Sequence, residues 1–156
     1  MKLTDAAVAA ILTDATVKPL SWQQTDPNLQ LDYADALVYA AGLESDGQTL
    51  SAAAFAALSD SGQTAVTIAG IAHNGAPVSS PLWRLPTIDE LFAGLFNAGM
   101  VGGTGSPSAF VGNANYWSSN LKLTGNRYSD NNGAPTGIGL GTEEEFDTVN
   151  VRCVTT

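Results

Sequence analysis

The stretch Trp83-Arg84-Leu85-Pro86-Thr87-Ile88-Asp89-Glu90-Leu91 constrains the fold of this chain more than any other. Thr87 and Glu90 form a capping box, in which a hydroxyl and a carboxylate each satisfy an otherwise orphan backbone N–H. Asp89 and Glu90 also sit at the positive end of the helix dipole. Ile88, Leu91, Phe92, Leu95 and Phe96 then recur at helical spacing on one apolar face, and Gly99 can end the helix in a left-handed conformation. Downstream the texture changes. Residues 116–119, 121–123, 137–141 and 149–154 are strand candidates separated by Asn/Gly-rich turns. Helices first and short strands later predict an α+β domain with an antiparallel sheet.

Upstream, residues 4–12 read as a short helix capped by Thr4, and residues 17–24 as a strand carrying Trp22. Thr25-Asp26-Pro27-Asn28 is a turn. Residues 32–43 form a second helix, with Tyr33, Leu37, Ala40 and Ala41 expected inward. Residues 44–80 are rich in Ser, Gly, Ala, Thr and Gln, with a helical patch at 51–58 and a β-prone patch at 64–72. Phe55, Leu58, Val66, Ile68 and Ile71 give this segment something to bury, so it reads as an elaboration of the domain and not a linker.

At 156 residues and 44% hydrophobic, the chain suffices for one domain with a real core. Asp and Glu number 15 against 6 Lys and Arg, a formal charge of −9. That surface repels phosphate and anionic lipid, so nucleic acid is not an expected partner. No apolar run approaches membrane-spanning length, so membrane insertion is not expected. The N-terminus is a poor signal peptide, which leaves assembly into a virus particle as one route to an extracellular surface. Cys153, the single cysteine, lies between Val151 and Val154 and reads as a small buried hydrophobe, with an intermolecular disulfide as the alternative.

Chemistry-bearing residues are sparse. His73 is the only histidine and sits beside an Asn-Gly turn, so it reads as a surface loop residue, and no nucleophile–base–orienter set can be assembled around it. Gly102-Gly103-Thr104-Gly105 lacks the lysine of a phosphate-binding loop. Calcium is the one ion to weigh: Asp130, Asn131 and Asn132 lie beside a glycine turn, and Glu143 and Asp147 concentrate acid nearby. An ordinary hairpin turn and a solvated acidic face account for the same residues, and no cofactor is expected. A binding surface is better marked. Asn113, Asn115, Asn120, Asn126, Arg127, Tyr128, Asn131 and Asn132 combine flat rings with adaptable amides, as sugar-binding and paratope surfaces do. Trp117 reads instead as core.

Five segments in order carry a family resemblance: Trp22-Gln23-Gln24, the helix at 33–43, Trp83-Arg84-Leu85-Pro86-Thr87 with Glu90-Leu91, Tyr116-Trp117-Ser118-Ser119, and Val151-Arg152-Cys153-Val154. From about Val17 to Val154 the chain resembles the Lcl C-terminal domain family, first described at the end of collagen-like bacterial adhesins. The resemblance implies a single domain over 1–156 of C-type-lectin-like fold, with two or three helices on short antiparallel strands and long loops. It leaves residues 1–16 as an N-terminal helical extension and 44–80 as an insertion. It further implies that Trp22, Trp83, Leu85, Trp117 and Val151 are structural, and that Arg84 and Arg152 are partly buried arginines paired with acids or carbonyls. The paired cysteines of the family's oxidising relatives and the Glu-Pro-Asn and Trp-Asn-Asp triplets of calcium-dependent lectins do not occur here. The expected function is a non-enzymatic adhesion module that recognises a cell-surface carbohydrate or protein through its late loops, on a virion or extracellular surface. The alternative is a virion assembly, decoration or tail protein acting through homo-oligomerisation with other virion proteins.

Overall fold

A computed structural model describes Thr4, Asp5, residues 21–98, Phe110, residues 113–129 and residues 135–155. In chain order the elements are β1 (Ser21–Trp22), β2 (Leu29–Leu31), α1 (Tyr33–Gly42), α2 (Ala52–Ala57), α3 (Asp60–Ile68), α4 (Ile88–Ala98), β3 (Asn115–Trp117), β4 (Leu123–Ser129), β5 (Pro135–Thr142), β6 (Val149–Val151) and β7 (Val154–Thr155). The described chain is therefore α+β, with four helices. One sheet has the order β2-β6-β3-β4-β5, and β1 pairs with β7 in a separate ribbon. Neighbours are antiparallel except β3 and β6, which run parallel with Tyr116 opposite Asn150, so the sheet is mixed where an antiparallel one is expected.

Strand alternation sends consecutive side chains of β3 to opposite faces. Trp117 enters a core with Leu29, Leu31, Ala36, Tyr39, Leu85 and Val151, covered by α1 to α3. Tyr116 enters a second core with Leu91, Phe92, Leu95, Phe110 and Ile138 under α4. Trp117 is fully buried, and its indole donates to Leu31 O at 2.8 Å. Helix α4 comes close to the sheet at Gly125, where a Cβ would lie 2.8 Å from Leu91 Cδ2.

The helices start where short polar side chains can cap them. Asp32, Ser51 and Ser59 accept from Asp35 N, Ala54 N and Gly62 N respectively, each a cap of about 1 kcal/mol. The Thr87–Glu90 box forms reciprocally: Thr87 N donates to Glu90 Oε1 at 2.8 Å, and Glu90 N to Thr87 Oγ1 at 3.2 Å. Arg84 adds a two-pronged pair to the same carboxylate, at 2.7 and 2.9 Å.

Several expectations need correction. The β-prone patch at 64–72 is mostly helix α3. Thr64 and Thr67 return their hydroxyls to the carbonyls four residues back, and the Ser59 cap fixes the start, so local hydrogen bonding overrides β propensity. Ile68 is 81% exposed, about 200° around the helix from buried Val66. On α1 the buried stripe is Ala36, Tyr39 and Ala40; Leu37 and Ala41 face out, because Tyr39 must reach Gln23. The run at 149–154 splits into β6 and β7, and 121–123 is mostly turn leading into β4. Most of the 4–12 helix, residues 17–20, Gly99 and the 102–107 turn lie outside the described residues. Among the described residues no helix is long and apolar enough to cross a membrane.

The motif segments meet in space. Gln23 N donates to Cys153 O, and Cys153 N to Gln23 Oε1. Arg84 and Val154 exchange both backbone hydrogen bonds. Ser119 N donates to Pro86 O at 2.7 Å, and Tyr33 donates its hydroxyl to Ser119 O while its ring meets Trp117 edge-on. Trp22 is half-buried with its ring edge-on to Phe110. Trp83 is buried against Gly47, whose φ of +67° and lack of Cβ the contact requires: a Cβ there would lie 2.4 Å from the indole.

Arg152 is fully buried at this junction, more so than a partly buried arginine. Its Nε and Nη2 donate to Gln23 O at 3.2 and 2.8 Å, Nη1 lies 3.8 Å from Asp26 Oδ2, and the guanidinium sits 4.6 Å over the Phe110 ring. Tyr116 donates its hydroxyl to the same Asp26 carboxylate. Burial lowers the Arg152 pKa, with Asp26 opposing the shift. Arg84, by contrast, is exposed beyond its Glu90 pair. Cys153 is buried, which argues against an intermolecular disulfide in the folded chain.

Candidate functional site

Strand register assembles a polar patch on the far side of β3–β4–β5 from α4. Asn115 pairs with Asn126 and Trp117 with Thr124. Thr124, Asn126 and Tyr128 then stand opposite Gly141, Gly139 and Gly137 on β5. The Gly-Ile-Gly-Leu-Gly alternation gives β5 one apolar face, where Ile138 joins the α4 core, and one face without side chains. That bareness is required. A Cβ on Gly139 would lie 2.5 Å from the Tyr128 ring, and one on Gly141 2.7 Å from Thr124 Oγ1. Tyr128 therefore lies across a glycine floor, 46% exposed.

A chain of amides links β4 to β3 beside this ring and ends on Glu143, just past β5. Asn126 Nδ2 donates to Asn115 Oδ1 at 2.9 Å, and Asn115 Nδ2 donates to Glu143 Oε1 at 2.7 Å. The carboxylate polarises the series, and each asparagine orients the next. Two buried polar atoms along it, Asn126 Oδ1 and Thr124 Oγ1, have no partner. An orphaned buried acceptor costs about 1–3 kcal/mol, so such groups call for an explanation.

The sequence-marked residues therefore divide. Asn115, Asn126 and Tyr128 come together on one face. Asn120 is drawn into the frame, where its Oδ1 accepts from Ile88 N at 2.9 Å at the start of α4. Asn113 is an exposed turn residue in the left-handed region, with φ of +60°. Arg127 takes the register position opposite Ile138. Asp130, Asn131 and Asn132 lie outside the described residues. Of the acids weighed for calcium, Glu143 is engaged by Asn115, and Asp147 Oδ2 accepts from Glu144 N at 3.1 Å. Among the described residues no three His, Cys, Asp or Glu side chains stand together as a metal site. His73 is half-buried and its ring stacks on Phe55 at 3.9 Å. The Gly-Ile-Gly-Leu-Gly alternation of β5 is the sequence signal for this face, whereas Thr124 carries none. Comparison with protein families, curated proteins and solved structures finds no match for this chain.

Proposed function

We infer that this protein is a non-enzymatic binding module of C-type-lectin-like architecture, whose β3–β4–β5 face recognises a carbohydrate on a cell surface. The observation that carries this reading is the polarised Glu143–Asn115–Asn126 series ending in an unpaired buried acceptor beside the exposed Tyr128 ring. Flat rings take the C–H face of a sugar, and oriented amides take its hydroxyls. An unpaired carbonyl awaiting a hydroxyl donor fits that division of labour. The architecture rests on the order of the five motif segments and on their convergence, and the setting we infer is an extracellular or virion surface.

A glycan array probed with the full chain tests this reading. Binding is expected, unchanged by a calcium chelator, and Tyr128→Ala is expected to weaken it about tenfold, as loss of an aromatic anchor does. A blank array, or equal binding by the variant, contradicts it. One observation favours a second reading, assembly through self-association: Leu121 and Phe146 are 55% and 78% exposed on segments hydrogen-bonded to Tyr33. Mass photometry of the wild type and Phe146→Ser separates the two.

A further inference from the structure

A second feature lies at the opposite end of the sheet. Among the described residues β2 is an edge strand, paired with β6 on one side only. A strand with one antiparallel neighbour leaves alternate N–H and C=O groups on its free side. Here that side opens into a groove of about 490 Å³, floored by residues 28–32 and walled by Ser61, Ala65 and Ile68 of α3. Among the described residues, helix α3 walls this channel without filling it. Ile68 stands 81% exposed at the rim, an apolar residue without an internal role.

We propose that this groove takes an extended, lysine- or arginine-bearing segment of a partner protein, which adds to β2 as a further strand. Main-chain pairing to an exposed edge supplies the register, and side-chain pockets alternate along the added strand. Residues turned toward α3 meet Ala65 and Ile68, so small or branched apolar side chains fit there. The groove's charged side chains are both acids: Asp32 is half-buried and caps α1 through one oxygen, and Asp35 is buried with both oxygens accepting from Ser59, so the intervening residues meet Asp32 while Asp35 adds to the negative field. A basic segment is therefore favoured, and the net charge of −9 draws it in from a distance. The same charge disfavours a second copy of this chain, which would set the two acidic grooves against each other. Three strand residues offer few main-chain bonds, so the association is reversible and depends on the α3 wall.

Amide NMR of the isotope-labelled full chain, titrated with a short capped peptide alternating valine and lysine, tests the proposal. The expected shifts fall on residues 28–32, 61–69 and 148. Methylating alternate peptide nitrogens is expected to weaken binding about tenfold, the loss of roughly two hydrogen bonds. Exchanging lysine for glutamate abolishes it, and Ile68→Arg, an exposed change that leaves the fold intact, weakens it at least as much as methylation does. No shifts at millimolar peptide overturn the proposal, as do shifts confined to the Asn115–Asn126 face, equal binding by the glutamate peptide or by Ile68→Arg, and concentration-dependent β2 shifts without peptide, which would assign the edge to a second copy.

Discussion

Arg152 shows how much a single side chain holds in this molecule. Its guanidinium ties the Gln23 carbonyl, the Asp26 carboxylate and the Phe110 ring together, joining the β1–β7 ribbon to the α4 core. Truncating one partner of a buried charge pair leaves the other uncompensated, so Arg152→Ala is expected to cost about 3–5 kcal/mol. Lysine cannot reproduce the fork of donors, so Arg152→Lys recovers little of that loss. Urea denaturation of the two variants checks this, and wild-type stability in either would remove the junction from the account. The neighbouring Cys153 thiol is raised well above its ordinary range by burial alone. A raised pKa favours the protonated native state. Its contribution is complete below the unfolded thiol's pKa of about 8.5 and is lost as pH rises through the higher folded value. Reaction of Cys153 with a thiol reagent should therefore track unfolding and not the thiolate fraction of a free cysteine.

At the scale of elements, α4 is the part of the fold most legible in the sequence, because everything that starts it is local. Partial burial pushes the Glu90 carboxyl up, but its hydrogen bonds from Arg84 and Thr87 outweigh that and hold it below the usual range. A lowered carboxyl contributes stability above its unfolded pKa of about 4.3, and this is lost as pH falls through the folded value. Glu90→Gln should flatten the acid limb of a melting-temperature profile below that pH. Thr87→Ala should cost about 1 kcal/mol at neutral pH. Helix α3 was not legible for the opposite reason. Thr64, Val66, Thr67 and Ile68 favour a strand, and what makes them helical is a cap held from outside: Asp35 on α1 accepts from both the Ser59 N–H, at 3.0 Å, and the Ser59 hydroxyl, at 2.5 Å. Contacts 24 residues apart leave no mark in a local window.

At the scale of the whole molecule, five separated segments close onto one another through Gln23–Cys153, Arg84–Val154, Pro86–Ser119 and Tyr33–Trp117. Helices ahead of short strands in the sequence announced an α+β domain, and Trp83, Leu85 and Trp117 were readable as its core. The candidate site was half legible. Asn115, Asn126 and Tyr128 were marked by composition, but composition has no register, so Asn120 was grouped with them although it serves α4. The part played by Gly137, Gly139 and Gly141 emerges only when β5 is laid beside β4. The proposed sugar-binding face consists of this bare strand and the amide series beside it. Its most direct test is side-chain amide NMR of Asn115 and Asn126 during titration with methyl glycosides of glucose, galactose, mannose and N-acetylglucosamine. At least one of these is expected to shift both asparagine amides together with the Tyr128 ring, and Asn126→Ala is expected to abolish the response while the fold is retained. Glycoside binding that leaves both amides unmoved would contradict it.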